Sequence, residues 1–425
     1  LFAFELAQAD SRIPFNRLER ELDAFSDTPG LPLVFERIYP ALLSARFNLG
    51  PLGRGWTHCW ETSAAAAEDG SVSVRTRGSG VHIFQPDNRG GYLAPTGDSG
   101  ILTKLSDGRF RLQEPDGLTS LFRTDGRLES IQDPNGRQLN LEYTGTQLTR
   151  LRHSSGHEFQ LAYNASGRLT QLVDAQGQST SFTYDAAQEH LTEVRYPTGR
   201  VVTYSYGATG AQTHAFLEKT DTAGDRRSFT YDDRGRIVAV TPNEGEPALT
   251  LHYSSAGQID ITAGQVTGQF FFDADGQLVK TRDANGLVYQ AVYDAQGQLV
   301  QVVDPLGRTT AGRYDSRGNL LAVTDVLGQT TAFAYDSPGR LSAITDPRGQ
   351  TTDYDYDTRG NLLQVTFPDA TAERYVRDAA GQLTQWIRPG GARVQFTYDT
   401  AGRVSRIQAD DGTDRRLTFD EVFAL

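Results

Sequence analysis

One short stretch of the sequence holds the residue types of a nucleophilic site. The segment "WTHCW" at 56–60 places Cys59 next to His58, and a thiol activated by an imidazole is a common catalytic pair. Neighbouring residues on a strand point to opposite faces, however, which argues against a dyad made of these two. We therefore expect Cys59 to be a buried packing residue, and we predict no catalytic residue and no enzymatic activity.

A second stretch, "DYDYD" at 353–357, could hold a hard cation. On a strand, Asp353, Asp355 and Asp357 would share one face at a spacing of about 6.5–7 Å, and carboxylate oxygens suit Ca²⁺. The stretch lacks the ligand loop of a calcium motif, and aspartates recur at turns throughout the chain. The seven histidines show no metal-ligand spacing, and "GSG" at 78–80 lacks the strand and helix of a phosphate loop. We predict no metal and no cofactor, with these three aspartates as the only metal candidates.

A 21-residue repeat predicts most of the strands and turns of this chain. An aromatic residue followed by Asp recurs at this spacing, and a Gly stands four residues after each aromatic. The structural residues predicted from the clearest copies are Tyr293, Asp294, Gly297, Tyr314, Asp315, Gly318, Tyr335, Asp336, Gly339, Tyr356, Asp357, Gly360, Tyr398, Asp399 and Gly402. A second turn, Asp-x-x-Gly, lies between successive copies, as in "DVLG" at 325–328.

Each repeat predicts a β-hairpin with two turns. Segments such as "TTAFAY" are rich in Thr and aromatic residues and alternate, which indicates strands. Asp can accept backbone N–H bonds at a turn, and Gly supplies the positive φ that closes it. Leu341 and Ile344 are an odd number of positions apart, that is, they differ in parity. Side chains alternate along a strand, so either the two face opposite sides of the sheet or a bulge intervenes. The sequence leaves both alternatives open.

The first part of the chain departs from this register. We divide the chain into a lead segment 1–30, a β-rich pre-repeat region 31–120 and the repeat array 121–425. Within the lead, "FAFEL" could be a strand, and "PFNRLERELDAF" predicts a short helix with Leu18, Leu22 and Phe25 on one side.

With these residues in view, the chain resembles the YD-repeat proteins, also called the Rhs family. The repeat is one basis, and the segment "LPLVFERIYPALLSARFNLGPLGRGWTHCWE" at 31–61 is another. That segment is similar to the one that precedes the repeats in bacterial members, with a turn at Gly53, Gly55 and Trp56. The resemblance implies an all-β fold in which tandem hairpins spiral into a hollow shell. It also implies a secreted or cell-surface bacterial protein whose C-terminal region is toxin cargo, with secretion-system or cell-surface partners.

Composition excludes several other classes of protein. The net charge is −12 with no basic block, which argues against nucleic-acid binding. No apolar run approaches the length of a membrane span, and a single cysteine forms no intrachain disulfide. Only three of the 41 basic residues are Lys: Lys104, Lys219 and Lys280. We also expect the chain to be part of a longer protein, because Met is absent and the last residues begin another repeat.

Two functions remain open from the sequence. One is a structural container around a toxin or other cargo, and the other is an extracellular adhesion scaffold that binds glycan or protein on its outer face. A sheet of about 28 strands cannot stay flat, because β-sheets twist. We therefore predict a curved, hollow, open structure in which residues 1–60 cover part of one edge. Its inner face should meet cargo or solvent instead of a packed core.

Overall fold

The all-β prediction is confirmed by the structure, a computed structural model that describes residues 17–75, 80–87, 90–95, 98–243, 245–254, 257–337, 339–399 and 402–418. Strands hold 54% of these residues. The helical structure among them amounts to two 3₁₀ turns, Ala45–Phe47 and Gly210–Gln212. Within the described part of the chain, no helix is long and apolar enough to cross a membrane.

Three small sheets precede the repeats. The strands of this region are β1 (Arg17–Ser26), β2 (Leu33–Pro40), β3 (Leu49–Gly50), β4 (Gly53–Arg54), β5 (Thr57–His58), β6 (Ser63–Ala66), β7 (Val72–Arg75), β8 (Val81–Pro86) and β9 (Tyr92–Leu93). Strands β1, β2 and β5 form one sheet, β3 and β4 a second, and β6 to β9 a third.

One sheet of 31 strands then runs to the end of the described chain, each strand pairing antiparallel with the next. Its first half comprises β10 (Ile101–Lys104), β11 (Phe110–Gln113), β12 (Thr119–Phe122), β13 (Leu128–Gln132), β14 (Gln138–Thr144), β15 (Gln147–His153), β16 (Glu158–Tyr163), β17 (Leu169–Val173), β18 (Ser179–Tyr184), β19 (Leu191–Arg195), β20 (Val201–Tyr206), β21 (Phe216–Asp221), β22 (Arg226–Tyr231), β23 (Ile237–Thr241), β24 (Leu249–Tyr253) and β25 (Gln258–Ala263). Its second half comprises β26 (Val266–Phe272), β27 (Leu278–Arg282), β28 (Val288–Tyr293), β29 (Leu299–Val303), β30 (Thr309–Tyr314), β31 (Leu320–Thr324), β32 (Thr330–Tyr335), β33 (Leu341–Thr345), β34 (Thr351–Tyr356), β35 (Leu362–Thr366), β36 (Ala372–Arg377), β37 (Leu383–Ile387), β38 (Arg393–Tyr398), β39 (Val404–Ala409) and β40 (Asp414–Arg416).

A β-bulge settles the parity question that the sequence left open. Tyr335 pairs with Leu341, but Ala334 pairs with Ala343, so one extra residue interrupts the ladder. Phe333 then pairs with Ile344. Tyr335 and Phe333 share a face, so their partners Leu341 and Ile344 share it too. The same register shift recurs through the array, for example beside Tyr314 and Tyr356.

The lead segment forms a strand where the sequence predicted a helix. Residues 17–26 are β1, and Leu22 and Phe25 are exposed while Leu18 is buried, so the three do not share an apolar face. The buried side chains of this strand include Glu19, Glu21 and Asp23, whose cationic partners lie elsewhere in the chain. The predicted strand "FAFEL" lies outside the described residues.

The sheet curls until its two kinds of turn meet. We call the turns that follow the repeated aromatics tyrosine turns (such as 357–361) and the Asp-x-x-Gly turns between them return turns (such as 133–137). Asn361, in a tyrosine turn, exchanges two side-chain hydrogen bonds with Asn135, in a return turn, at 2.9 and 3.0 Å. Arg137 donates to the carbonyl of Ala380 in the next tyrosine turn. The contacting pairs lie 226 and 243 residues apart, so the sheet forms an open coil.

Candidate functional site

The described part of the lead segment and the beginning of the pre-repeat region form a cap on the first part of the coil. We use this name for residues 17–64. The cap reaches tyrosine turns that are far apart in sequence, since Ala64 N donates to Gly126 O at 2.8 Å and Arg46 Nη1 donates to Gly235 O at 3.2 Å. The cap also packs on the sheet between these turns, since Trp56 contacts Tyr206 and Tyr39 contacts Phe216, so it lies across the concave side of the curve. The face that carries the repeat tyrosines, against which the cap packs, is therefore the inner face.

Aromatic packing holds the cap to the inner face. Trp56 is 1% exposed, and its indole N–H donates to Tyr206 Oη at 2.7 Å. The Tyr39 ring stacks on Phe216 at 4.9 Å. Gly53, in the predicted pre-repeat turn, has φ +85°, and a Cβ there would lie 2.7 Å from the carbonyl of Glu189. Gly55, at φ +78°, lies against the Tyr39 ring. Gly53 lets the cap backbone come close to the coil, and Gly55 makes room for the Tyr39 ring within the cap.

An ion pair is buried at the centre of this contact. The side chains of Arg37 and Asp23 are fully buried, with Nε–Oδ2 and Nη2–Oδ1 distances of 2.5 and 2.9 Å. Tyr196 donates its hydroxyl hydrogen to Asp23 at 2.9 Å, and the Arg37 guanidinium lies 4.9 Å from the Trp56 ring centre. Burial lowers the pKa of Arg37 but the adjacent Asp23 carboxylate raises it, and the net pKa is raised, so Arg37 stays charged.

A second buried cluster joins β1 to the repeats. Lys219, one of the chain's three lysines, is 5% exposed and forms ion pairs with Glu19, Glu21 and Asp225. Sequence reasoning missed the site that these groups form. The available signal was the rarity of Lys in a chain whose cations are nearly all Arg, together with three acidic residues at alternating positions in β1.

The buried core shows how far the cap extends. The main cluster of buried apolar residues runs from Leu18 to Ile259. Among the described residues beyond Ile259, the buried apolar side chains are Ala322, Val365 and Val394. The expectation of an inner face free of packed core is therefore wrong for β10–β25, the capped part, because the cap fills it. In β26–β40, the open part, inner-face residues such as Tyr354 and Tyr356 are half-buried.

The repeat residues form one recurrent arrangement in the open part. Each Asp accepts backbone N–H bonds within its turn, as Asp315 does from Arg317 and Asn319 at 2.8 and 2.9 Å. Each tyrosine hydroxyl donates to a backbone carbonyl 15 residues earlier, as Tyr335 does to Leu320 at 3.0 Å. The same hydroxyl bond is made by Tyr293, Tyr314, Tyr356 and Tyr398, and the glycines Gly297, Gly318, Gly339, Gly360 and Gly402 all have positive φ.

The tyrosine bond explains why the aromatic carries a hydroxyl. Leu320 pairs with Tyr314 at the bulge of the preceding hairpin, where the ladder is interrupted. The Tyr335 hydroxyl supplies a hydrogen bond to this carbonyl across the hairpin boundary. Each repeat is thereby fastened to the one before it by a side chain as well as by strand pairing. Sequence reasoning predicted an aromatic column and missed this bond.

The candidate metal ligands are not brought together. Asp353 and Asp355 are exposed on the outer face, opposite Tyr354 and Tyr356. Asp357 belongs to a tyrosine turn, where it accepts hydrogen bonds from Arg359 N and from the backbone and side chain of Asn361. Within the described ranges, no group of three His, Cys, Asp or Glu residues could hold a metal ion.

His58 and Cys59 have separate structural roles. His58 Nδ1 accepts the backbone N–H of Trp60 at 3.2 Å, so the neutral ring carries its hydrogen on Nε2, which lies 3.5 Å from Glu61 Oε1. Burial lowers the pKa of His58 to about 3 and raises the pKa of Glu61 to about 7. The Cys59 thiol lies 3.6 Å from the carbonyl of Val34. The imidazole is therefore not oriented as a base for the thiol.

Comparisons with known proteins agree with this architecture. The family described as Teneurin YD-shell matches residues 287–422, RHS Repeat matches 163–189, and a domain of unknown function, DUF6531, matches 16–84. "Probable deoxyribonuclease RhsB" of Dickeya dadantii (strain 3937) is 27% identical over 323 residues, which are 61% of this chain and 21% of that protein. The chain thus spans about a fifth of the length of this relative.

Solved structures share the fold at low sequence identity. The crystal structure of TcdB2-TccC3-Cdc42 matches with a TM-score of 0.55 at 14% identity, over 95% of this chain and 27% of that one. The crystal structure of TcdB2-TccC3-TEV matches with a TM-score of 0.54 at 14% identity, over 94% and 27%. At this identity the likeness shows the fold alone, an open coil of β-hairpins.

Proposed function

Because the chain belongs to the YD-repeat, or Rhs, family, we propose that it is a non-enzymatic segment of a β-shell that encloses a polypeptide cargo. The shell-type fold is the established part, and the cargo is the proposal. The observation that carries it is the contrast between the capped part, whose inner face is packed, and the open part, whose inner face is half-buried and aromatic. The cap closes one end of a space that the open part surrounds.

The dimensions of the coil support an enclosed space. The return turn between β11 and β12 meets the tyrosine turn between β34 and β35, since Gly117 lies against Arg359 O. One turn of the coil takes 23 strands by this contact, β12 to β34, and 21 strands by the Asn135–Asn361 contact, β14 to β34. At a spacing of about 4.8 Å this is a circumference of about 100–110 Å and a diameter of about 32–35 Å. Such a width leaves room that inward side chains do not fill.

The exposed area supports an open shape. The chain exposes 22740 Å², whereas a compact protein of 46.6 kDa exposes about 16,000 Å². We propose that part of the additional area is the inner surface of the open part, which meets cargo. The family resemblance and the nuclease name of the Dickeya relative favour a C-terminal toxin as this cargo, in a protein that acts outside the producing cell. Secretion-system or cell-surface partners belong to the same proposal.

Small-angle scattering tests the shape. A filled globule of 425 residues has a radius of gyration of about 22 Å. We expect a larger value and a distance distribution with depleted short distances, as a hollow body gives. A radius near the compact value would contradict the shell proposal.

Binding of unfolded polypeptide tests the cargo surface, with a matched pair of variants on neighbouring residues. Tyr354→Asp places a charge on the half-buried inner face, whereas Asp355→Arg changes a charge on the exposed outer face. The probe is a fluorescent, permanently unfolded polypeptide, followed by anisotropy. We expect binding that Tyr354→Asp weakens severalfold and Asp355→Arg leaves unchanged. Absence of binding, or equal weakening by both variants, would contradict an inner cargo surface.

A further inference from the structure

Two loops beside the cap are joined by three titratable side chains. Asp185, in a tyrosine turn, lies with Oδ2 2.7 Å from His190 Nδ1. His190 Nε2 lies 2.9 Å from Nδ1 of His214, which belongs to the insertion 207–215 that lengthens the repeat. The two histidines are 24 residues apart and come from different hairpins. The Tyr206 ring covers His190, with ring centres 4.8 Å apart.

The row of hydrogen bonds from Asp185 through His190 to His214 exists only while its side chains carry a limited number of protons. The Asp185 carboxylate, whose pKa is lowered despite the opposing effect of burial, accepts a hydrogen bond from the N–H at His190 Nδ1. A hydrogen bond between His190 Nε2 and His214 Nδ1 needs one N–H and one lone pair. The arrangement therefore persists when the pair is neutral or carries one added proton. A second added proton puts hydrogens on both facing nitrogens, which breaks the bond and places two cations side by side.

The same loops hold the cap. The carbonyl of His214, a residue at φ +62°, accepts the Tyr39 hydroxyl at 3.0 Å, and its ring meets Phe47 edge-on at 5.9 Å. In the tyrosine turn, Glu189 O accepts the backbone N–H of Arg54 at 2.7 Å. The Glu189 carboxylate accepts two further hydrogen bonds from the guanidinium of Arg54, at 2.8 and 3.0 Å.

The surrounding charges oppose the second proton. Burial lowers the pKa of His214, and positive charge on Arg54, His190 or Arg46 lowers it further, while Glu189 raises it. A histidine with a lowered folded-state pKa binds its proton more readily in the unfolded state. Its contribution to stability is therefore present above the ordinary histidine pKa and is lost as the pH falls towards the lowered value.

We propose that Asp185, His190 and His214 form an acid-sensitive latch that holds the cap on the coil. At neutral pH the His–His hydrogen bond ties the tyrosine turn to the insertion, and both contact the cap. When the pH falls below the ordinary histidine pKa, protonation of both histidines separates the two loops. The cap is then held less tightly where it contacts them. The latch concerns the cap alone and is independent of what the interior holds.

Tryptophan quenching measures cap opening directly. The chain has three tryptophans, of which Trp56 and Trp60 lie in the cap and are 1% and 2% exposed. A Trp386→Phe background leaves only these two. We expect acrylamide quenching of their fluorescence to rise severalfold as the pH falls from about 7 to about 4.5, below the ordinary histidine pKa of about 6.5, because the pKa of His214 is lowered. Far-UV circular dichroism should keep its β-sheet signal over the same range.

Matched variants separate the latch from general acid effects. In that background, His214→Asn keeps a residue that tolerates positive φ but cannot titrate, so the rise should disappear. His190→Gln should give the same loss of pH response. His252→Gln, at an exposed histidine in β24, should respond like the parent. The proposal is overturned if the parent shows no rise, if His214→Asn and His190→Gln both rise like the parent, or if the rise coincides with loss of the β-sheet signal.

Discussion

Replacing Arg37 by Met should destabilise the protein by about 3–5 kcal/mol, the usual cost of removing one partner of a buried ion pair. Met keeps the length and apolar stem of the side chain but leaves the Asp23 carboxylate without its counter-charge. Both side chains are fully buried, so water cannot replace the guanidinium without opening the cap. A loss of this size is a large share of the about 5–15 kcal/mol that stabilises a typical domain.

The pH dependence of this variant has a definite sign. Burial already raises the pKa of Asp23, against the lowering effect of Arg37. Without Arg37 the pKa of the buried carboxyl rises further, so the folded variant protonates at a pH where the unfolded chain is ionised. The penalty then grows with pH between the two pKa values, by about 1.4 kcal/mol per pH unit. Arg37→Met should therefore be less destabilising at about pH 5 than at about pH 8.

Urea unfolding followed by tryptophan fluorescence provides the assay, since Trp56 lies against Arg37. The double variant Arg37→Met with Asp23→Leu should recover most of the loss, because an apolar pair replaces both charges. Arg406→Met is the exposed control, since its partner Asp414 is open to solvent, and it should change stability little. A loss below about 1 kcal/mol in Arg37→Met, or a double variant as unstable as the two single losses combined, would refute the reasoning.

Two further predictions concern the repeat. Gly318 and Gly339 have φ +85° and +93°, so Gly→Val at either position should cost at least about 1 kcal/mol, and unchanged melting in both would contradict the role of the turn. Tyr335→Phe removes the hydroxyl bond to Leu320 and should cost about 0.5–1.5 kcal/mol in urea unfolding. Tyr289→Phe, at a side chain that is 44% exposed, is the control, and equal losses in the two variants would argue against the hydroxyl bond.

The sequence predicts the hairpins well because the information is local. An Asp that caps a turn and a Gly that takes positive φ act within five residues, as Asp315 and Gly318 do. The bulge at Leu341 is a local feature too, but alternation alone does not distinguish it from a change of face. The return of the coil after 226 residues depends on the accumulated twist of the whole sheet, which no single repeat specifies.

The cap was hard to predict for a different reason. Leu18, Leu22 and Phe25 do have helical spacing. The extended conformation of β1 is nevertheless determined by the residues that pair with it. Glu19, Glu21 and Asp23 are buried, and cations of β2 and the repeats pair with them, up to 208 residues away. A local pattern with acidic residues on its polar side predicts a helix whose polar side faces solvent. Only the distant cations show that these acidic residues are buried.

The deviations of the repeat therefore carry functional information of their own. An ideal hairpin array is stabilised by neighbours alone and gives no unique place for another element to dock. The array is most regular in the open part, where the inner face is half-buried, and least regular near 207–215, where the extra residues bring His214 and Ala211 to the cap. Irregularity in one repeat thus marks the place where tertiary contacts replace neighbour contacts. In such chains, the copies that fit the repeat worst are the first place to look for a docking site.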